Sequence, residues 1–389
     1  MTSAIRPPLP APQSLAARRV GIVGGGQLAR MMAEAAPRLG LGITVLDPTP
    51  DCPAHEFATQ IVGEFDDLAR LADLAGAADV VTLDIEAVSA RCLEALERSG
   101  TRVAPSAQVL AIIQDKLRQK EFLRTHALPT SDFREIAPHD RAAVERFGMP
   151  CVLKARRHGY DGRGVKVVRT PADADAMLAM PCLVERLVDI DKELAVMVAR
   201  SARGEMAVYP VVEAVFDPRA NILDLIRAPA NIAPAQVARC EQLGREVVEA
   251  LDGVGIFGIE FFLDRDGAIL VNEISPRPHN SGHYTIEACA TSQFEQHLRA
   301  VTGMPLGPTT LLHPAASFNL LGEPDAHGTP RVVGGEDAMR RGAAIHLYGK
   351  HTVKPFRKMG HVTITATTIE QALTHAAALR DTLKIKGTS

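Results

Sequence analysis

The sequence predicts an α/β protein, α+β when all 389 residues are taken together. Three observations carry that reading. Apolar strands alternate with helical patterns over about residues 18–110, which builds a parallel, doubly wound sheet. From Lys116 the texture changes to strands with few helices between them, the mark of a separate mixed sheet. Beyond residue 311 the chain is mostly strands, closed by one helix.

The elements follow in order. Residues 19–23 form a short strand, Gly24-Gly25-Gly26-Gln27 a tight turn, and residues 28–39 a helix stopped by Gly40. Strands follow at 43–47, where Pro48 ends the run, at 79–85 and at 103–105, with helical patterns at 66–75 and 89–99 between them. Residues 116–126 read as a helix, then 151–156, 165–168, 182–187, 193–200 and 206–215 as strands. Pro234 opens a long helix over 234–251. Strands 255–263 and 268–274 make a hairpin on Asp266-Gly267. A helix spans 285–301, and strands at 315–321, 343–348 and 361–366 precede a final helix at 369–382.

Composition narrows the function classes. A formal net charge of −3 offers no field for nucleic acid or anionic membranes, and 4% aromatics is too few for a base-stacking platform. No apolar run is long enough to span a bilayer. The first 17 residues hold four prolines and no apolar core, so they read as a loose tail and the protein as cytoplasmic. Six scattered cysteines without C-x-x-C argue against a disulfide framework or a thiolate zinc site.

Four motifs carry chemistry. A hairpin turn at Asp266-Gly267 places Glu260 opposite Glu273, and one at Arg265-Asp266 makes them diagonal neighbours, on one face in either register. Facing carboxylates repel unless a cation lies between them, and an oxygen-rich site suits Mg²⁺ completed by phosphates; the bland alternative is a solvated face. The strand exit Asn272 to His283 adds an amide, a guanidinium and two imidazoles, with Arg277 suited to an oxyanion. Gly159-Tyr160-Asp161-Gly162-Arg163-Gly164-Val165 can form an anion-binding nest downstream of Lys154, Arg156 and Arg157, or a flexible turn only. Leu183 to Val188 ends a strand in Glu185, with Glu193 eight residues on, a pair able to meet an adenine amine and a ribose hydroxyl. The basic run Lys350, His351, Lys354, Arg357, Lys358 and His361 is either a solvated loop or a phosphate clamp.

In this order the motifs resemble the ATP-grasp superfamily and, more narrowly, the N5-carboxyaminoimidazole ribonucleotide synthetases. The resemblance rests on Gly24-Gly25-Gly26-Gln27-Leu28 with Arg30-Met31, Leu46-Asp47-Pro48, Gln114-Asp115-Lys116 with Lys120, Gly159 to Gly164, Asn272 to His283, Ser292 to Glu295 with His297 to Ala300, and Arg357 to His361. It implies an ATP-grasp fold divided as a tail (1–17), a Rossmann-like domain (18–113), a lid region (114–190), a body with the metal site (191–310) and a small β-rich C-terminal domain (311–389). It implies carboxylation of 5-aminoimidazole ribonucleotide from ATP and bicarbonate, by way of carboxyphosphate, in purine biosynthesis.

The family's site residues carry over by position. Lys116 and Lys154 would hold ATP phosphates under the Gly159–Gly164 lid, with Tyr160, Asp161, Gly162, Arg163 and Val165 in or beside it. Glu185, Arg186, Leu187 and Val188 would bracket adenine and Glu193 meet the ribose. Glu260 and Glu273 would ligate Mg²⁺, with Mn²⁺ as a substitute and Asn272 alongside. Arg277, His279 and Asn280 resemble a bicarbonate pocket. Gln27, Leu28, Glu86, Tyr160, Arg163, Asn280, Ser281, Lys354, Arg357 and Lys358 would bind the ribonucleotide, and Arg277, Asp161 and His283 serve catalysis. The resemblance also implies a homodimer whose product passes to a mutase.

Two positions depart from the pattern. Asp84 stands in Asp84-Ile85-Glu86 where Glu-x-Glu is usual, and Phe216 stands near an expected polar residue. Three rival readings stand beside this one. Gly24-x-Gly26-x-x-Ala29 followed by Asp47 fits a dinucleotide fingerprint. A formate-using ATP-grasp transformylase shares the metal carboxylates, and a nucleotide-binding scaffold would keep the fold without the chemistry.

Overall fold

The computed structural model describes residues 18–157, 164–173, 179–217 and 222–388. Expectations for the N-terminal tail, for Gly159, Tyr160, Asp161, Gly162 and Arg163, and for the side chain of Phe216 lie outside the described residues.

The N-terminal sheet is parallel, in the order Thr59–Val62, Leu41–Asp47, Arg18–Val23, Val80–Leu83. Its central strands are continuous apolar runs because helices cover both faces; Val20, Ile22, Val45 and Val81 are buried. The helix Gln27–Ala35 buries Leu28, Met31 and Met32 against it. Val103 makes an isolated bridge with Val81 in place of the expected strand. Thr59–Val62 is a strand the sequence does not predict, because an edge strand need not be apolar and its residues are exposed or half-buried.

A second, antiparallel sheet runs Phe133–Ile136, Cys182–Arg186, Cys151–Ala155, Val165–Val168. The third is a nine-stranded antiparallel sheet. It passes from Ile269–Ser275 through Gly255–Asp264 and Ile190–Arg200 to Val212–Asp217 and Ile222–Ala228. It then continues into Ala315–Leu321, Lys358–Thr365 and Ala344–Leu347, with Met206–Val208 paired off Ile190–Arg200. The C-terminal strands therefore extend the body's sheet instead of forming one of their own, apart from the small pair Thr329–Val333 and Lys384–Thr388. One sheet thus connects the hairpin carrying Glu260 and Glu273 to the strand carrying Lys358.

Two expected elements are split. Residues 206–215 form two strands, Met206–Val208 and Val212–Asp217, separated at Pro210, which lacks the N–H a ladder requires. Residues 285–301 form two helices, Thr285–Ala288 and Gln293–Thr302, because the Ser292 hydroxyl accepts from the Glu295 N–H and starts a new helix. The helix Pro234–Ala250 packs Leu243, Val247 and Val248 against Phe257, Ile259 and Phe261 of the sheet. Each buried aromatic or branched side chain there contributes about 2 kcal/mol, which holds the opposite, polar face of the hairpin rigid. All six cysteines are free. Among the described residues no helix is long and apolar enough to cross a membrane.

Candidate active site

The hairpin that carries Glu260 and Glu273 is built by a bulge. Its turn is a three-residue connection, with the Gly267 N–H donating to the Asp264 carbonyl (3.0 Å) and Gly267 left-handed at φ 87°. Near the turn Phe261 faces Val271 and Leu263 faces Ile269, a register that would pair Glu260 with Asn272. The register shifts after Glu260, leaving Asn272 as an extra residue and setting Glu260 opposite Glu273. The Asp266-Gly267 two-residue turn expected from sequence reaches the same pair by a different path. Gln119 braces the bulge from the neighbouring helix: its amide donates to the Ile274 carbonyl (3.3 Å) and its oxygen accepts from the Ile274 N–H (3.0 Å).

Cations surround this pair. Lys116 Nζ lies 2.5 Å from Glu273 Oε1, and Lys154 Nζ donates to Asn272 Oδ1 (3.0 Å). Burial opposes charge on both partners of the Lys116–Glu273 pair, yet each one's charge holds the other: the lysine is raised and the carboxyl lowered. Glu260 is pushed up to about 7, first by burial and then by the charges of Glu273 and Glu193. Glu193 also rises to about 7, by burial against the pull of Lys154. Two half-buried carboxylates thus face each other beside an amide oxygen, and one of them resists ionisation. Among the described residues no cluster of three His, Cys, Asp or Glu side chains forms a metal cage. The donor set therefore fits a hard cation such as Mg²⁺ or Mn²⁺ held by two carboxylates and completed by phosphate and water oxygens.

Asp115 places Lys116. Its carboxylate caps the helix Lys116–Thr125 and takes Arg156 in a fork, Nε to Oδ1 at 3.0 Å and Nη2 to Oδ2 at 2.6 Å. The Lys116 N–H also donates to the Arg156 carbonyl (2.9 Å), which ties the start of the helix to the end of strand Cys151–Ala155. On the next strand Glu185 is held well down, to about 2. Burial opposes this, but the charges of Lys154 and Lys120 and the Ser131 hydroxyl outweigh it. Its Oε2 meets Ser131 (2.7 Å), Lys120 (3.1 Å) and Lys154 (3.2 Å), while Oε1 is buried with no hydrogen-bond partner.

Lys116, Lys154, Glu185, Glu260 and Glu273 open onto one cleft of about 2430 Å³ that continues past Arg186, Leu187, Val188 and Val165 to Arg277, Lys354, Arg357 and Lys358. Gln27, Leu28 and Glu86 line its other wall. Arg277 Nη2 donates to Glu86 Oε2 (2.9 Å) and Nη1 to the Pro278 carbonyl, while Nε is buried and unsatisfied. His279 Nε2 lies 3.7 Å from Glu260, and Asn280 follows on the cleft wall.

Two expected site residues are placed differently. Ser281 is buried behind the turn against the His279 ring (3.2 Å) and does not line the cleft. His283 reaches the cleft wall but is almost wholly buried, its ring tilted against His361 and its Nδ1 accepting from the Gln293 amide (3.0 Å). Burial and the neighbouring cationic groups drive its pKa well below the ordinary imidazole value, so it is neutral and braces the turn. Gln293, quoted in the sequence motif without a role, also bonds the His279 N–H (2.9 Å) and carbonyl (2.8 Å). Asp47 is buried and accepts from the Gly25 and Thr49 N–H groups (both 2.9 Å), so its carboxylate braces the glycine turn. Asp84 accepts from the Gly26 N–H (2.6 Å), and a Cβ on residue 26 would sit 2.7 Å from that oxygen. Burial raises Asp84 to about 6, although Arg277 opposes the rise.

Family models agree with this layout. A ribonucleotide synthetase preATP-grasp domain matches residues 17–114, an ATP-grasp domain 121–294, and a phosphoribosylaminoimidazole carboxylase C-terminal domain 315–375. The N5-carboxyaminoimidazole ribonucleotide synthase of Synechococcus elongatus is 42% identical over 355 residues, 89% of each chain. The chain belongs to the N5-carboxyaminoimidazole ribonucleotide synthase family. The crystal structure of the Thermotoga maritima synthetase superposes with a TM-score of 0.89 at 45% identity, over 95% of this chain and all of that one (100%). An Aspergillus clavatus synthase in complex with ADP and 5-aminoimidazole ribonucleotide gives 0.85 at 36% identity, over 95% and 99%. A carboxylase-type C-terminal match, together with these synthases, sets aside the dehydrogenase, transformylase and scaffold readings.

Proposed function

We propose that the chain uses ATP and bicarbonate to carboxylate the exocyclic amine of 5-aminoimidazole ribonucleotide, giving N5-carboxyaminoimidazole ribonucleotide, ADP and phosphate. The observation that carries this is one cleft joining a carboxylate–lysine end at Glu260, Glu273 and Lys116 to Arg277 and then to the cationic end at Lys354 to Lys358. A nucleoside triphosphate fits the first end, a small oxyanion the middle, and a phosphorylated acceptor the last.

Lys116 and Lys154 meet the ATP phosphates. The free Oε1 of Glu185 accepts the adenine amine, the chain through Arg186, Leu187 and Val188 brackets the base, and Glu193 meets the ribose. Glu260 and Glu273 hold a divalent cation, which supplies charge neutralisation on the phosphates. Arg277 keeps its charge at every working pH and offers Nε to bicarbonate, oriented by Glu86. A bicarbonate oxygen attacks the γ-phosphorus and ADP leaves; the acceptor amine then attacks the carboxyl carbon of carboxyphosphate and phosphate leaves. Asp161 takes the amine proton, and the glycine loop excludes water that would hydrolyse the intermediate. Lys354, Arg357 and Lys358 hold the ribonucleotide phosphate. The product is an N-carboxylated amine, labile in water, so an enzyme that moves the carboxyl to carbon must take it promptly. On this reading the protein works as a cytoplasmic homodimer.

Bicarbonate labelled with oxygen-18 tests the order of steps. Transfer of one labelled oxygen into the released phosphate is expected. Unlabelled phosphate would overturn the carboxyphosphate route.

A further inference from the structure

The cationic end of the cleft holds one side chain that neither charge nor burial explains. Phe356 lines the cleft, is 49% exposed, and sits at φ 59°. A non-glycine residue rarely adopts that left-handed conformation, and a bulky one least of all. The surrounding turn forces it there. Val353 is fully buried and its N–H donates to the Gly328 carbonyl (2.9 Å). The Phe356 N–H donates to the Gly322 carbonyl (2.9 Å), and Gly322 in turn donates to the Arg357 carbonyl (2.9 Å). A Cβ at Gly322 would come within 2.3 Å of the Lys354 carbonyl oxygen, so the two segments are packed as closely as backbones allow.

A turn of this shape is relaxed with glycine at the left-handed position. The chain instead places there one of its 12 phenylalanines, exposed, between Lys354 and Arg357. Strain retained beside a ligand-binding wall marks function rather than folding. We propose that Phe356 is a substrate-contacting residue, whose ring packs on the apolar face of the acceptor ribonucleotide while Lys354, Arg357 and Lys358 hold its phosphate. The cations fix where the nucleotide binds; the ring covers its sugar and heterocycle and sets its tilt towards Arg277. The inference rests on the function proposed above, because it needs a phosphorylated nucleoside at this end of the cleft.

Phe356→Gly separates a contact from a mere loop residue. It relaxes the turn and removes the ring, so the thermal midpoint should hold or rise. The KM for aminoimidazole ribonucleotide should rise about fivefold or more with the KM for ATP unchanged. Phe356→Leu keeps an apolar side chain in the same strained turn and should fall between glycine and wild type. An unchanged acceptor KM in both variants overturns the inference and leaves the proposed activity standing. A wild-type enzyme whose ADP release ignores aminoimidazole ribonucleotide overturns the activity itself, and the inference with it.

Discussion

Glu260 and Glu273 face each other across their strand pair because Asn272 is an extra residue between Val271 and Glu273. Without the bulge, Glu260 would face the Asn272 amide and Glu273 would lie on the apolar side. The bulge brings an amide and a carboxylate to the polar face, where Lys154 and Lys116 meet them.

Glu273→Gln should raise the magnesium requirement sharply. The substitution keeps the shape and removes the charge that both Lys116 and the cation need. Magnesium titrations of ADP release should shift by about tenfold or more, and overlaid curves would show that Glu273 is no ligand.

Arg277→Ala should abolish carboxylation while ATP binding persists, since the lysines and Glu185 remain. Removing a part-buried cation that contacts an oxyanion costs at least about 2–4 kcal/mol of transition-state stabilisation, a loss of about thirtyfold to a thousandfold that takes turnover to near background. Single-turnover assays alongside nucleotide titration would check it. Turnover at the wild-type rate would refute the role.

Asp115→Ala should weaken both stability and ATP use. It removes a helix cap, worth about 1 kcal/mol, and leaves the half-buried Arg156 without its forked partner. A urea midpoint should fall, and the KM for ATP should rise because Lys116 loses its fixed start. The acceptor KM should not move.

Stability at low pH should carry the signature of Glu185. Its carboxyl lies at about 2 in the fold against an ordinary 4.5. A lowered folded pKa stabilises above the unfolded value and is lost as pH falls from about 4.5 towards 2. Glu185→Gln should flatten urea midpoints across that window. Lys120→Met, which strands a buried carboxylate partner, should cost about 3 kcal/mol at neutral pH.

The strand–helix alternation, the Glu260–Glu273 pair and the basic C-terminal run were legible because each is local: a periodicity, a turn dipeptide, a cluster. The braces were not. Gln119 reaches Ile274 across 155 positions, and Lys120 and Ser131 meet Glu185 over more than fifty, which no spacing rule encodes. The bulge at Asn272 was hidden for a related reason: a one-residue register change shows only when both strands are paired. Pro210 and Ser292 were visible, yet the apolar runs around them outweighed a missing donor and a helix cap. Ser281 and His283 read as site residues from their company, whereas Ser281 sits buried against the His279 ring and His283 is almost wholly buried between Gln293 and His361.

The most direct measurement is ADP release with bicarbonate fixed and aminoimidazole ribonucleotide added or withheld. The account predicts ADP release strongly stimulated by the ribonucleotide, matched by carboxylated product, dependent on bicarbonate and unsupported by formate. ADP release that is indifferent to the ribonucleotide, or sustained by formate in place of bicarbonate, would contradict it.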